Sequence, residues 1–195
     1  MGVRTFIGIA LPLPVRQALG SAQQAMRDDS PEWRTEKWVA EENLHVTLKF
    51  LGSLPEDLVT RAADTLVAAS ATYPRFQLHL DEIAAIPRIR SATMLWAGVG
   101  EGRDRTVELA MAIDDTLAGE GFAAETRTFR PHVTLVRSRN ARRIALATLD
   151  AGNQILFASE ERRKRVSVRG VTLFSSTLTP HGPVYVERCF APLAE

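Results

Sequence analysis

The segment Asn43-Leu44-His45-Val46-Thr47-Leu48-Lys49-Phe50 alternates polar and apolar residues, the period of a half-buried β-strand. Residues two apart share a face of a strand. His45 and Thr47 therefore point one way, with Asn43 and Lys49, while Leu44, Val46, Leu48 and Phe50 point the other way into packing. The same tetrad recurs as His132-Val133-Thr134-Leu135. With 45% of residues apolar, an apolar-flanked Thr at that offset follows a given His roughly once in sixty in random order. Two of the chain's four histidines carry it. Either two unrelated strands bear His and Thr on wet faces, or the fold brings two matching faces together.

Composition narrows the partners. The 195 residues suit one domain or two closely packed lobes, with a sizeable core. A net charge of +1 gives no global nucleic-acid signal, so a basic site has to be local. The single Cys189 excludes an internal disulfide framework and a cysteine-rich zinc site, and its strand context, Arg188-Cys189-Phe190, suits a core thiol. No apolar run approaches the ~18 residues of a membrane span. The apolar stretch Phe6 to Leu13 reads as a first strand, and Phe6 stands where a myristoylation pattern needs Ser or Thr. A cytoplasmic monomer is expected.

Along the chain, Val3 to Leu11 reads as a strand, and Pro14 opens a helix with Val15, Leu19, Ala22 and Met26 at helical spacing. Trp38-Val39 is a short bridging segment whose Trp is a core aromatic or a base-stacking ring. Ser53 and Glu56 match a capping box for a helix to Thr72. Phe76 to Leu80 is a strand, with His79 on the surface because no Thr follows two residues on. Thr93 to Val99 is a strand, and a helix spans about Arg103 to Ala118. Behind the second tetrad, Ala141 to Ala151 is a helix, Glu160 to Arg165 a charged turn, and Val166 to Leu178 one long strand with a bulge at Gly170. Pro180-His181-Gly182-Pro183 turns the chain into a last strand, Val184 to Phe190. Strand, helix and strand thus recur around both tetrads. The expected fold is α+β: two pseudo-symmetric lobes, each an antiparallel-rich sheet backed by helices, with the tetrads facing across a central cleft.

Two histidines in one cleft suit proton transfer, since an unperturbed imidazole titrates near ~6.5. A base on one side of a phosphorus and an acid on the other are what in-line displacement requires. Thr47 and Thr134 would donate to non-bridging oxygens, and Arg130 and Arg137 flank the second tetrad as candidates to neutralise charge. Other chemistries fit less well: there is no His-Glu-x-x-His helix, no third zinc ligand to place, no Gly-x-Ser-x-Gly elbow and no Walker loop.

The paired tetrads resemble the 2H phosphoesterase superfamily, and the flanks resemble its bacterial RNA 2′,3′-cyclic phosphodiesterase, or 2′-5′ RNA ligase-like, members. The likeness runs through Arg4-Thr5-Phe6-Ile7-Gly8-Ile9, Trp38, Asn43 to Gly52, Pro87-Arg88, Leu95 to Val99, Arg130 to Arg137, Leu173 to Ser176 and Gly182 to Tyr185. Gly8 is smaller than the residue expected there. The resemblance implies metal-free hydrolysis of an RNA 2′,3′-cyclic phosphate to a 2′-phosphomonoester, and 2′-5′ ligation in reverse. It implies that His45 protonates the leaving 3′ oxygen and His132 activates water, roles that exchange in ligation. Thr47 and Thr134 would hold the phosphate, with Arg130 favoured over Arg137 to assist. Two other readings stay open: an esterase for a small cyclic nucleotide or 2′-5′ oligonucleotide, and a non-catalytic RNA-binding module. Arg88, Arg90, Arg142 and Arg143 are either guides for an RNA backbone or solvated charges.

Overall fold

The computed structural model describes residues 2–161, 164–180 and 182–195. Two residues of the expected charged turn, 162 and 163, and His181 of the expected hairpin turn lie outside the described residues. The strands are β1 (Val3–Ala10), β2 (Lys37–Trp38), β3 (His45–Leu54), β4 (Phe76–Ile86), β5 (Ala92–Val99), β6 (His132–Arg142), β7 (Arg165–Val168), β8 (Gly170–Thr179) and β9 (Gly182–Pro192). The α-helices are α1 (Leu13–Asp29), α2 (Pro31–Arg34), α3 (Glu56–Ser70), α4 (Arg103–Gly119) and α5 (Leu146–Ala158).

The strands form one sheet in the order β7-β4-β5-β6-β3-β1-β8-β9, with β2 added to β6. All pairings between these strands are antiparallel. The tetrad strands β3 and β6 are neighbours at the middle, each with three further strands beyond it. They meet through a single residue pair, Val46 with Val133, both fully buried. The two expected lobes are thus halves of one continuous sheet. Strand β4, which follows the first tetrad strand and its helix α3, belongs to the second tetrad's half.

Helices α1 and α5 pack together on one half, and α3 and α4 on the other. α1 begins behind Pro12 and Pro14, which pre-set φ for a first turn whose N–H groups need no partner. It buries Val15, Ala18, Leu19, Ala22 and Met26 at helical spacing, and stops at Ser30, which Pro31 holds in an extended conformation. Two of these helices reach across to the opposite tetrad strand. α1 joins β1 to β3, yet its buried Gln23 donates to the Leu135 carbonyl of β6 (2.9 Å) and to that of Val39 (3.0 Å). α4 joins β5 to β6, yet its Asp114 forms an ion pair with Lys49 of β3. Lys49 also donates to the Ala123 carbonyl (2.6 Å), and Asp114 accepts from the Glu125 amide (3.1 Å). The loop entering β6 is thereby tied to β3.

Several expected boundaries differ: the strand expected over Phe76 to Leu80 runs on to Ile86, and the last strand spans Gly182–Pro192. Ser53 does not cap α3: it is paired with Arg4 inside β3, and the helix begins at Glu56 behind Pro55 without a side-chain cap. The helix expected from Ala141 starts at Leu146, because β6 continues to Arg142, which pairs with Ala92. The long strand expected from Val166 is two strands, β7 on β4 and β8 on β1. Gly170 marks that break rather than a bulge. A Cβ there would lie 2.3 Å from the Phe190 ring and 2.7 Å from the Ala191 carbonyl.

The Lys49 side chain is 3% exposed, so removing its charge strands Asp114. Lys49→Met is expected to destabilise the fold by about 3 kcal/mol. In urea denaturation this appears as a lower midpoint with an unchanged slope, and adding Asp114→Leu recovers a substantial part of the loss.

Candidate active site

Carried one residue to either side of Val46 and Val133, the antiparallel register sets His45 opposite Thr134 and Thr47 opposite His132. The four polar side chains of the tetrads therefore share one patch of the sheet, related by an approximate twofold axis between the two valines.

Each tetrad strand then bulges. The β1–β3 register slips between Ile7 and Gly8, and the β5–β6 register slips between Leu95 and Trp96. A bulge places two residues against one and reverses the facing of all that follow. Leu48 and Lys49 are both buried in consequence, as are Leu135 and Val136. Phe50 and Arg137, each five residues after its histidine, turn onto the cleft face. This corrects the alternation expected from the sequence: Lys49 faces the core and Phe50, 55% exposed, faces the cleft.

Both imidazoles are held in the same way. His45 Nδ1 lies 2.7 Å from the Asn43 carbonyl, and His132 Nδ1 lies 2.7 Å from the Arg130 carbonyl. A carbonyl only accepts, so each Nδ1 carries the proton and each Nε2 is left for chemistry. His45 Nε2 is 2.8 Å from the Thr47 hydroxyl. Gly8 lies beneath the His45 ring, where a Cβ would come within 2.8 Å of the Val46 carbonyl and 3.3 Å of the ring. The small residue noted in the sequence is thus a site of close approach. Phe6 (centroids 4.8 Å apart) and the edge of Tyr185 (5.4 Å) complete the packing of His45, while His132 lies over Trp96 at 4.1 Å.

Burial lowers the pKa of both histidines, against the raising effect of the carbonyl each one faces. His45 is lowered further by His132 and Arg137, and His132 by Arg137. Both imidazoles are accordingly biased toward the neutral form in the free protein. The Arg137 guanidinium lies 3.4 Å from the Thr134 hydroxyl. Arg137, His45, Thr47 and Thr134 line a cleft of about 490 Å³. Its remaining walls include Arg4, Phe6, Phe50, Ser176 and Tyr185, none of which the tetrad pattern points to. Arg130 enters the site through its backbone carbonyl, and its side chain is not part of this lining.

Other candidates fall elsewhere. The Trp38 indole donates to the Trp33 carbonyl (2.8 Å) and packs on the core. His79 is engaged by Glu101 (2.6 Å) and Arg165 (2.9 Å) rather than free on the surface. Arg142 is paired with Glu36 (2.6 Å), whereas Arg88 and Arg90 are exposed. Cys189 is half-buried, and burial pushes its thiol up, away from nucleophile chemistry. Among the described residues, no three His, Cys, Asp or Glu converge on a point that would hold a metal ion. No described helix is long and apolar enough to cross a membrane.

Residues 14–178 match the model of the 2′-5′ RNA ligase superfamily, and the chain belongs to that family. It is 33% identical over 150 residues to the RNA 2′,3′-cyclic phosphodiesterase of Aeropyrum pernix, covering 76% of this chain and 81% of that one. It is 29% identical over 188 residues to the protein of that name from Methanothermobacter thermautotrophicus, covering 96% and 97%. The crystal structure of Escherichia coli LigT complexed with 3′-AMP superposes with a TM-score of 0.75 over 100% of both chains at 22% identity. The fold is therefore α+β of the phosphoesterase type, and the relatives are enzymes.

Arg137 depresses both histidines without touching either ring. Arg137→Gln is expected to raise the midpoints of His45 and His132 together, as followed by imidazole resonances in NMR titration. In the wild-type protein both midpoints fall below the ordinary ~6.5.

Proposed function

We propose that the protein hydrolyses the 2′,3′-cyclic phosphate at an RNA 3′ end to a 2′-phosphomonoester by acid–base catalysis between His45 and His132. The observation that carries this reading is the meeting of the two tetrads at Val46 and Val133, which sets His45 opposite Thr134 and Thr47 opposite His132, with each Nδ1 held by a backbone carbonyl. The names of the relatives support the substrate class.

In the proposed step, His132 Nε2 takes a proton from water as the water oxygen attacks phosphorus. The bond from phosphorus to the 3′ oxygen breaks, and His45 Nε2 delivers a proton to that oxygen. Water is consumed, and the protons that the two histidines exchange balance over one turnover. Charge growing on the non-bridging oxygens is met by Arg137 and by the hydroxyls of Thr47 and Thr134. His45 must be protonated for this step, although burial favours its neutral form. An arriving phosphate supplies the negative charge that favours its cation. The same geometry with a 5′-hydroxyl in place of water joins two RNA ends through a 2′-5′ linkage. The lone Cys189 thiol fits a reducing cytoplasm.

The assay offers a cyclic-phosphate-ended RNA and 2′,3′-cyclic nucleotides in the presence of a chelator. The expected product is the 2′-phosphate, with turnover reduced about 10²–10⁴-fold in His45→Ala and in His132→Ala. Undiminished turnover in either variant, or a 3′-phosphate product, would refute the mechanism.

A further inference from the structure

Strands β1, β3 and β8 carry ordered rows of side chains on the cleft face. Nearest the tetrads, Gly8 lies between Thr47 and Thr172. One row out, Phe6 lies between Phe50 and Phe174. One row further, Arg4 lies between Ser53 and Ser176. The rows read outward as the floor under the His45 ring, an aromatic row and a second cation. From Gly8 to Arg4 the strand advances about 13 Å, and the long Arg4 side chain lines the same cleft as His45.

Arg4 differs from the paired arginines of the surface. Arg75, Arg142 and Arg188 each face a carboxylate, Glu195, Glu36 and Glu56 respectively. Among the described residues, Arg4 and Arg137 have no acid within ion-pairing distance, and both line the cleft. Tyr185 lies between them: burial pushes its hydroxyl up, while Arg4 and Arg137 both pull it down. Two unpaired guanidinium groups on either side of an aromatic shelf match the two anionic groups that flank a nucleoside within an RNA chain. A guanidinium fork also suits a phosphodiester, which offers it two oxygens.

We propose that Arg4, with the Ser176 hydroxyl beside it, binds the phosphate on the 5′ side of the terminal nucleoside. The protein would then select the end of an RNA chain over a mononucleoside cyclic phosphate. This inference rests on the cyclic-phosphate reading of the histidine site. Arg137 serves the reacting phosphate, the exposed ring of Phe50, backed by the buried Phe6, serves the nucleoside, and Arg4 the internucleotide phosphate that follows. The serines offer short hydroxyl donors on either side of the guanidinium without crowding a backbone.

The test compares kcat/KM for adenosine 2′,3′-cyclic phosphate, its 5′-phosphorylated form and the dinucleotide ApA ending in a 2′,3′-cyclic phosphate. Wild-type protein is expected to prefer the dinucleotide over the mononucleoside by about tenfold or more. Arg4→Met is expected to lower that ratio about tenfold, and Arg4→Lys to retain part of it. The salt dependence of dinucleotide turnover should flatten by about 0.7 in logarithmic slope in Arg4→Met. A ratio near one in the wild type, or a ratio that Arg4→Met leaves unchanged, overturns the assignment. An Arg4 effect confined to the 5′-phosphorylated mononucleotide also overturns it, since the group bound would then be a free monophosphate. Absence of turnover with all three substrates overturns instead the reading of the histidine site.

Discussion

The pairing of Val46 with Val133 is the contact on which the rest depends. It is the one residue pair joining β3 to β6, and both side chains are shut away from water. A slip of one residue by either strand at this point would turn that strand's histidine and threonine into the core and bring its apolar side chains to the cleft. A single pair is weak protection against such a slip. Gln23 and Lys49 supply the rest, each linking a tetrad strand to a helix that belongs, by chain connection, to the opposite half. The halves are interlocked rather than merely adjacent, and the polar groups that lock them are buried. Burial makes those bonds expensive to break and so makes the register specific.

Around this pair the electrostatics follow from geometry. Each imidazole has its Nδ1 committed to a carbonyl two residues before it, so neither ring is free to present the other nitrogen. Walls of Phe6, Tyr185 and Trp96 keep water from the rings and lower their affinity for protons. Arg137 adds a cation with no carboxylate within ion-pairing distance among the described residues. The free site therefore holds positive charge in reserve and little negative charge. An anionic ligand meets a preorganised field there rather than one that must first rearrange.

Much of the site was legible in the residues, and the limits of that reading have a common cause. Period-two alternation correctly puts His45 with Thr47 and His132 with Thr134, because in each tetrad the irregularity comes only at the residue after the threonine. It fails one residue later, at Lys49 and Phe50, because the bulges at Leu48 and Leu135 leave no mark in the alternation. The equal spacing of Phe50 and Arg137 from their histidines is the one sequence signal that would have exposed them as equivalent positions. Asn43 and Arg130 act through main-chain oxygens, which any residue provides, so side-chain type could not reveal their role. Arg4 and Ser176 come into the cleft only through the strand order β3-β1-β8, a long-range pairing that local pattern does not specify. The same blindness merges β7 and β8, since nothing in the period records that the chain has crossed from one half of the sheet to the other.

The equivalence of Phe50 and Arg137 has a further consequence. A pair of histidines related by a twofold axis has no intrinsic handedness: either ring is as well placed as the other to give or to take the proton. The two bulges break that equality by presenting an aromatic ring on one side of the axis and a cation on the other. For the proposed reaction this asymmetry sets one sense for the substrate across the pair, its base toward the ring and its phosphate toward the cation. On that reading the polarity of the cleft, together with the different walls around the two rings, decides which becomes the acid.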